Sequence, residues 1–224
     1  LVLKKKEKSR SFLLEMIKSR IEEKREILRG GMRDSVCLVG HSQLDDWDIR
    51  EMCGMPVRNC GIRGISSFQY RELILDPEIL DGTSEAFVVM QGTNDIVYDY
   101  SLDEIVESIK KMLFYIRERN PDAIICVVAC LHVNGRADRS NRKIDRLNGA
   151  LCDAIRETDA FWVGMGEMDD SFGNLRREYT CDGLHLSSEG YTVFGRVLEN
   201  GIRRAFRAED CGDSGAFRVK GIKG

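Results

Sequence analysis

One serine, one aspartate and one histidine in this sequence have the types and positions that acyl-transfer chemistry requires. Ser42 comes two residues after Gly40, which ends the apolar run at 36–39. Asp182 and His185 lie three residues apart late in the chain, with a glycine between them that lets the chain turn. Nucleophilic catalysis by a serine needs a base for the hydroxyl proton and a group that orients this base. We therefore predict Ser42 as the nucleophile, His185 as the base and Asp182 as its orienting carboxylate; the alternative for Ser42 is a helix-capping residue.

Donors for the negative charge that develops on the attacked carbonyl oxygen are also present. The backbone amides of Ser42 and Gly64 and the side-chain amide of Asn94 are suitable hydrogen-bond donors. A glycine at position 64 allows the backbone to approach a substrate closely. Asp95 is expected to brace the turn that carries Asn94. The sequence thus predicts an oxyanion hole formed by Ser42, Gly64 and Asn94.

These residues must be positioned by the elements around them. Short apolar runs alternate with segments of helical periodicity, an order that predicts a parallel sheet with helices on both faces. The predicted strands are 36–39, 57–60, 86–90, 123–131 and 161–163. One predicted helix begins at the capping box 101–104 and ends before 120, and the others cover about 139–157 and 188–207. Because open parallel sheets bind ligands beyond the carboxyl ends of their strands, the candidate residues should gather at that edge.

Four short blocks carry a resemblance to a known family. They are Gly40-His41-Ser42, Asn59-x-Gly61-x-x-Gly64, Gly92-Thr93-Asn94-Asp95 and Asp182-x-x-His185. In this order they resemble the signature blocks of the SGNH hydrolases, the GDSL-like esterases and lipases, over about residues 35–206. The resemblance implies an α/β fold, a three-layer α/β/α domain with a flavodoxin-like, parallel, five-stranded sheet. It also implies ester hydrolysis without a cofactor, with the residues in the roles given above.

Other residues are candidates for lining the substrate. The family usually has aspartate where this chain has His41. We expect His41, His132 and Arg136 near the substrate, and Arg136 and Arg139 could hold a sugar or an anionic group. The alternatives for His41 are a structural residue bonded to a neighbouring loop, a second base, and a pH switch near ~6.5. The alternative for His132 is packing behind the site, and for the two arginines it is a solvated loop.

The chain divides into three predicted parts. Residues 1–31 combine many charged residues with apolar residues at helical spacing, which predicts an amphipathic charged helix. This helix could pack on the domain that follows, form a dimer, or link to a fused upstream domain. Residues 32–208 are predicted to form the SGNH hydrolase-like domain. The Gly-rich end, 209–224, is predicted to be a flexible C-terminal tail.

Composition restricts the partners and the compartment. The 224 residues carry a net charge of −3 at pH 7, which argues against general nucleic-acid binding. No apolar run reaches the ~18 residues of a membrane span, and we see no secretory signal. The eight cysteines include no CxxC pair and there are only three histidines, so no metal site is predicted. Cysteines inside apolar runs indicate a reduced, cytoplasmic compartment.

The residues and the resemblance together predict a serine esterase that works through an acyl-enzyme. No long apolar stripe indicates a deep acyl tunnel, so we expect an acetyl or other short-chain O-acyl ester. The family resemblance favours a small-molecule or saccharide ester as the substrate. A lysophospholipase or short-chain lipid esterase and an O-acyltransferase to a sugar are the alternatives. A non-catalytic binding module on the same fold is an alternative of another class.

Overall fold

A mainly parallel sheet carries the loops in which the candidate residues lie. The structure, a computed structural model, describes residues 2–80, 83–98 and 100–210, and within these ranges it describes side chains from 10 to 208. In this part of the chain the sheet has six strands in the order β2-β3-β1-β4-β5-β6. The strands are β1 Val36–Gly40, β2 Glu51–Met52, β3 Met55–Asn59, β4 Ala86–Met90, β5 Ile124–Val128 and β6 Phe161–Val163.

The five parallel strands correspond to the five apolar runs of the sequence. They are β3, β1, β4, β5 and β6, and with β2 set aside they have the spatial order of a flavodoxin-like sheet. The expected α/β fold is therefore confirmed, but the expected number of five strands is corrected to six in the described residues. The added strand β2 pairs antiparallel with β3 through a turn at Cys53 and Gly54, both of which have positive φ. A two-residue strand is too short to produce a periodic hydrophobic pattern.

Helices cover both faces of the sheet. They are α1 Val2–Glu23, α2 Arg25–Arg29, α3 Ser42–Asp45, α4 Ser67–Tyr70, α5 Thr93–Val97, α6 Leu102–Arg119, α7 Asn141–Ile155 and α8 Ser188–Asp210. The side chains of Ser101 and Glu104 cap α6 reciprocally, as the capping box predicts. Helix α8 extends two residues into the predicted tail 209–224, and the rest of that tail lies outside the described residues. None of the described helices has the length and apolar character that a membrane crossing requires.

Alternate residues of the central strands face opposite layers. On one face Leu38 and Val88 belong to a core that includes Phe194 of α8. On the other face Val39 belongs to a core that includes Ile17 of α1 and residues of α6. Because both faces are covered, these strands are apolar at every position rather than at every second one.

The N-terminal helices pack against the second of these faces. Ile17, Ile21 and Leu28 are buried in the same core as Val39. Met16, on the other side of α1, is 47% exposed. The structure thus shows the first of the three alternatives, a helix packed on the domain. The boundary at residue 31, a dimer and a fused upstream domain stay predictions.

We expect Ile17→Ala to lower the free energy of unfolding by about 2–5 kcal/mol, because it leaves a cavity between α1 and the sheet. Met16→Ala, on the exposed side of the same helix, should change it by less than about 0.5 kcal/mol. Urea unfolding of both variants measures the difference. Equal stability of the two variants would show that α1 is not packed in this way.

Candidate active site

Ser42 lies in the first turn of a short helix that follows directly on the central strand. Strand β1 ends at Gly40 and helix α3 begins at Ser42. Position 40 requires glycine, because a Cβ there would lie 2.5 Å from the carbonyl oxygen of Met90 in β4. Only 6% of the surface of Ser42 is exposed. The end of β1 therefore holds this serine at the carboxyl edge of the sheet, where parallel sheets bind ligands.

The loop that contains Gly64 runs alongside the serine. The backbone N–H of Ile62 donates to the carbonyl oxygen of Gly40 over 2.9 Å, which continues the β1–β3 pairing into this loop. The N–H of Arg63 donates to Asp45 Oδ2 at the end of α3 over 2.8 Å. Gly64 itself has φ 76°, a conformation that favours glycine. The loop is thus attached to both elements that hold Ser42.

Asn94 is held by hydrogen bonds at both ends of its amide. It lies in α5, just after β4, and its Nδ2 donates to the carbonyl oxygen of Ile65 over 2.9 Å. Its Oδ1 accepts from Arg139 Nη2 over 3.0 Å, and Arg139 Nε donates to Thr93 Oγ1 over 3.3 Å. A primary amide has two N–H donors, so one of them is not used by Ile65. The amide is oriented, and it keeps a donor for a ligand.

Asp95 connects the turn at Asn94 with helix α4. Its carboxylate accepts from the backbone N–H of Ser67 over 3.0 Å and from Ser67 Oγ over 2.5 Å. Burial raises the pKa of Asp95, although these hydrogen bonds act in the opposite direction. The residue is fully buried. Its position fits the expected bracing of the turn and gives it no contact with a substrate.

Asp182 and His185 form a hydrogen-bonded pair in the loop before α8. His185 Nδ1 lies 2.8 Å from Asp182 Oδ2, while Asp182 Oδ1 accepts from the N–H groups of Leu184 and His185. Burial acts against the charge, but hydrogen bonds from His185 and Leu184 lower the pKa of Asp182 to about 2. The carboxylate is therefore ionised at neutral pH and accepts a hydrogen bond from the Nδ1–H group, which leaves the lone pair of His185 Nε2 available to accept a proton.

A hydrogen bond joins this loop to the serine helix. Gln43, the residue after Ser42, donates from Nε2 to the carbonyl oxygen of Leu184 over 2.8 Å. Tyr191 in α8 donates from its hydroxyl to the carbonyl oxygen of Gln43 over 3.1 Å. Ser42 and His185 are 143 positions apart in sequence, yet each is adjacent to one member of the Gln43–Leu184 bond. The structure thus brings the loops of Ser42, Gly64, Asn94 and His185 together at one edge.

His41 does not line a substrate surface, which corrects the expectation from the sequence. It is fully buried, and neither ring nitrogen has a hydrogen-bond partner among the described residues. Burial, with smaller contributions from the charges of Arg139 and His185, lowers the pKa of His41 to about 3. The lowered pKa favours the neutral imidazole near pH 7, which argues against a pH switch near ~6.5. The expected bond to a neighbouring loop is also not formed within the described residues.

His132 lies between two carboxylates. Its Nε2 lies 2.8 Å from Asp145 Oδ1, and its Nδ1 lies 2.9 Å from Asp169 Oδ2, off the direction of a well-aligned hydrogen bond. The contacts with Asp169 and Asp145 raise the pKa of His132, although partial burial opposes the shift. His132 lines a groove of about 980 Å³ between α7 and α8, and none of the residues predicted for catalysis lines this groove. With both nitrogens next to carboxylates, the position of His132 fits the alternative of packing behind the site, and contact with the substrate stays a prediction.

Arg136 lies beside the Asp182–His185 pair and is open to solvent. Its Nε and Nη2 donate to Asp138 over 2.8 and 3.0 Å, and its Nη1 is 3.9 Å from Asp182 Oδ2. This position is compatible with contact to a substrate, which stays a prediction. Within the described residues, no group of three or more His, Cys, Asp or Glu side chains is arranged to hold a metal ion.

The sequence analysis missed the contact between Arg139 and Asn94. It associated Arg139 with a sugar or an anion, whereas the structure has its guanidinium on Asn94 Oδ1. It also missed the carboxylate of Asp45, which binds the N–H next to Gly64. Neither contact leaves a local signal, because the paired residues are 45 and 18 positions apart.

Comparisons with known proteins identify the family and structures with a similar fold. Residues 41–193 match the model of the GDSL-like Lipase/Acylhydrolase family. A protein from Streptococcus pneumoniae described as a platelet activating factor has a similar structure, with a TM-score of 0.78 and 25% identity over 87% of this chain and 96% of that one. An acylhydrolase from Bacteroides fragilis gives a TM-score of 0.67 and 23% identity over 84% of this chain and 97% of that one. The similarity to the Bacteroides fragilis protein shows a shared fold and nothing further.

A longer relative is more similar in sequence. An N-acylneuraminate cytidylyltransferase from Escherichia coli O18:K1:H7 is 36% identical over 203 residues, which are 90% of this chain and 46% of that protein. The chain thus spans about half the length of this relative.

The α/β fold and the loops gathered at one edge of its sheet are those that the resemblance to the SGNH hydrolases implies. The match over 41–193 covers more than half of the sequence, and the chain belongs to the GDSL-like lipase/acylhydrolase family. This membership favours a hydrolase over the non-catalytic binding module that the sequence left open.

The His132 contacts predict a pH-dependent contribution to stability. Because the folded pKa is raised, the contribution is fully present below the unfolded pKa of about 6.5 and is lost as the pH rises through the folded pKa. We therefore expect His132→Gln to be less stable than the parent protein at about pH 6, with the difference shrinking toward about pH 9. Urea unfolding at a series of pH values measures this. A difference that is constant with pH would contradict the ion pairs with Asp145 and Asp169.

Proposed function

We propose that this protein is a serine esterase in which Ser42 is the nucleophile and His185, oriented by Asp182, is the general base. The observation that carries the proposal is the pair of contacts at the histidine loop. Asp182 Oδ2 lies 2.8 Å from His185 Nδ1, and the next backbone carbonyl, that of Leu184, accepts from the side chain of Gln43. A base that is oriented from behind and attached to the serine helix is the arrangement that nucleophilic catalysis needs.

In the first half of the reaction an acyl-enzyme forms. Ser42 Oγ attacks the ester carbonyl carbon, and its proton passes to Nε2 of His185. The tetrahedral intermediate collapses as the bond to the alcohol oxygen breaks, and the imidazolium returns the proton to this leaving alcohol. Throughout these steps the ionised Asp182 stabilises the positive charge on His185.

In the second half water releases the acid. Nε2 of His185 takes a proton from a water molecule whose oxygen attacks the acyl carbon, and the same proton then returns to Ser42 Oγ as the acyl–oxygen bond breaks. The products are a carboxylic acid and the regenerated hydroxyl. A sugar hydroxyl in place of water would give acyl transfer by the same steps.

The developing oxyanion is stabilised by donors that are already oriented. We assign this role to the N–H groups of Ser42 and Gly64 and to Nδ2 of Asn94. The amide of Asn94 is held by Arg139 and Ile65, so its donor needs no reorganisation during the reaction. The guanidinium of Arg139 next to Asn94 adds a positive charge near the same place.

We propose a short acyl ester on a carbohydrate as the substrate. The absence of a long apolar stripe in the sequence supports a short acyl group. The 36% identical relative is named for an acidic sugar, N-acylneuraminate, and the solvent-accessible Arg136 beside the site supports an anionic group on the substrate. A lipid acetyl ester is the second candidate, since the 25% identical structure is named for a platelet activating factor.

We also propose that the protein works in the cytoplasm. The seven cysteines among the described residues are free thiols, which supports a reducing compartment.

Replacement of the nucleophile and of one oxyanion donor tests the mechanism. We expect Ser42→Ala to abolish hydrolysis of p-nitrophenyl acetate and labelling by a fluorophosphonate probe. Asn94→Ala should stay folded and lose about 10²–10³-fold in turnover. Ser11→Ala, at an exposed serine of α1, should match the parent protein. Full hydrolysis by Ser42→Ala would refute the assignment.

A panel of acetyl esters tests the substrate class. We compare an O-acetylated N-acylneuraminate, an O-acetylated neutral sugar and a short-chain lipid ester by kcat/KM, and we expect the acidic sugar to be preferred. Arg136→Gln should reduce the preference for the acidic over the neutral sugar, because it removes the charge that recognises the anion. Arg156→Gln is the matched control, because Arg156 is mostly exposed and lies more than 15 residues further along the chain. Highest activity on the lipid ester would support the second candidate instead.

A further inference from the structure

One buried carboxylate connects the serine helix to the N-terminal helix. Asp45 ends α3, three residues after Ser42, and its side chain is 1% exposed. Arg20 of α1 donates to it from Nη2 over 2.8 Å and from Nε over 3.1 Å. Lys24, which follows α1, has its Nζ 2.6 Å from Asp45 Oδ1. Arg20 near the C-terminal end of α1 and Lys24 just after it thus both bind Asp45, the last residue of α3.

The same group of residues holds the loop of the proposed oxyanion donor Gly64. Asp45 Oδ2 accepts from the backbone N–H of Arg63, the residue before Gly64. Lys24 Nζ also donates to the carbonyl oxygen of Gly61 over 2.8 Å. Lys24 is only 6% exposed. A single ammonium group therefore links the end of the serine helix to the backbone of the oxyanion loop.

Apolar side chains of α1 lie close to Gly64. A Cβ at position 64 would lie 2.9 Å from Leu13 Cδ1 and 4.0 Å from Ile17 Cγ1. The loop at Gly64 therefore lies directly against the side chains of α1. One helix thus fixes the loop by packing at Leu13 and by charge at Lys24.

If the ion pair between Lys24 and Asp45 only stabilised the fold, Lys24 would not need to contact the backbone of the oxyanion loop as well. Arg20 already supplies a charge and two hydrogen bonds to Asp45. Burying Lys24 next to it costs desolvation that packing with an apolar residue would avoid. What Lys24 adds is hydrogen bonds to two backbone carbonyl oxygens, that of Asn59 at the end of β3 over 3.2 Å and that of Gly61 in the oxyanion loop over 2.8 Å. Its particular contribution is therefore the distance between α3 and the start of this loop. Donor positions in an oxyanion hole tolerate little displacement, since about 1 Å can cost roughly 10²-fold in rate.

We infer that Lys24 is a positioning residue for the esterase reaction. Through its contacts with Asp45 and the Gly61 carbonyl oxygen, it holds the N–H groups of Ser42 and Gly64 at the spacing that the oxyanion requires. The inference rests on the proposed function, because it assumes that these two N–H groups bind the oxyanion. It gives the N-terminal helices a role in positioning the proposed oxyanion donors.

The test compares Lys24→Met with Lys18→Met in the full chain. Lys18 lies on α1, six residues before Lys24, and its half-exposed side chain pairs with Glu15. We expect Lys24→Met to lower kcat for p-nitrophenyl acetate by about 10–100-fold, with KM within about twofold of the parent value. The rate of fluorophosphonate labelling, which forms a tetrahedral oxyanion mimic on Ser42, should fall to a similar extent. Lys18→Met should change none of these values.

Folding is measured in parallel by thermal unfolding, so that kcat is compared only for folded protein. If Lys24→Met does not fold, Arg20→Gln decides the question: it leaves Lys24 in place but weakens the hold on Asp45, and kcat should fall by about 3–10-fold at constant KM. A folded Lys24→Met with unchanged kcat, or with only a raised KM, would overturn the inference. Ser42→Ala, measured beside it, separates the two proposals: full activity there would overturn the proposed function itself.

Discussion

The close approach of strands β1 and β4 at their carboxyl ends is the constraint on which the site depends. In this parallel pair Gly40 is in register with Met90, and the backbone of β4 occupies the space that a side chain at position 40 would need. Two residues after Gly40 the chain begins α3 at Ser42, and three residues after Met90 it begins α5 at Thr93. The hydroxyl and the amide that the reaction needs are therefore carried by the first turns of two adjacent helices. Their separation is set by the hydrogen-bonded spacing of two buried strands, which is among the least variable distances in a protein.

Local patterns were sufficient to predict most of this framework. The five parallel strands are visible because each is an apolar run buried on both faces, and α6 is visible because Ser101 and Glu104 cap it. The residues Ser42, Gly64, Asn94 and His185 could be named because each lies in a short block with its own local requirement, such as the turn before Asn94. These blocks do not predict which residues contact one another in the folded protein. The bond from Gln43 to Leu184 spans 141 positions, and a single sequence contains no signal that pairs them.

The environments of the histidines were also beyond the reach of the sequence. His41 and His132 both follow predicted strands, and we expected both of them near the substrate. In the structure one is enclosed without a partner and near a guanidinium, so its pKa is lowered, whereas the other lies between two carboxylates, so its pKa is raised. The sign of such a shift depends on which elements pack against the ring, and the carboxylates at His132 come from α7 and from a loop after β6. Residue type and strand position alone could not have separated the two cases.

The distribution of charge around Ser42 follows from this same packing. A carboxylate at position 41, as the family usually has, would be buried near Arg139 and would compensate its charge. This chain has a neutral imidazole there, and the carboxylate that pairs with Arg139 is the more exposed Asp138. The charge of the Arg139 guanidinium is therefore neutralised by a carboxylate on the solvent side. A carboxylate in the interior would interact with it more strongly, because a charge is screened least there. On the other flank, Asp45 is matched by both Arg20 and Lys24. Arg20 also pairs with Glu23, so two cations and two carboxylates meet on this flank. On the flank of Asn94, the guanidinium of Arg139 on Asn94 Oδ1 has the sign that stabilises an anionic intermediate.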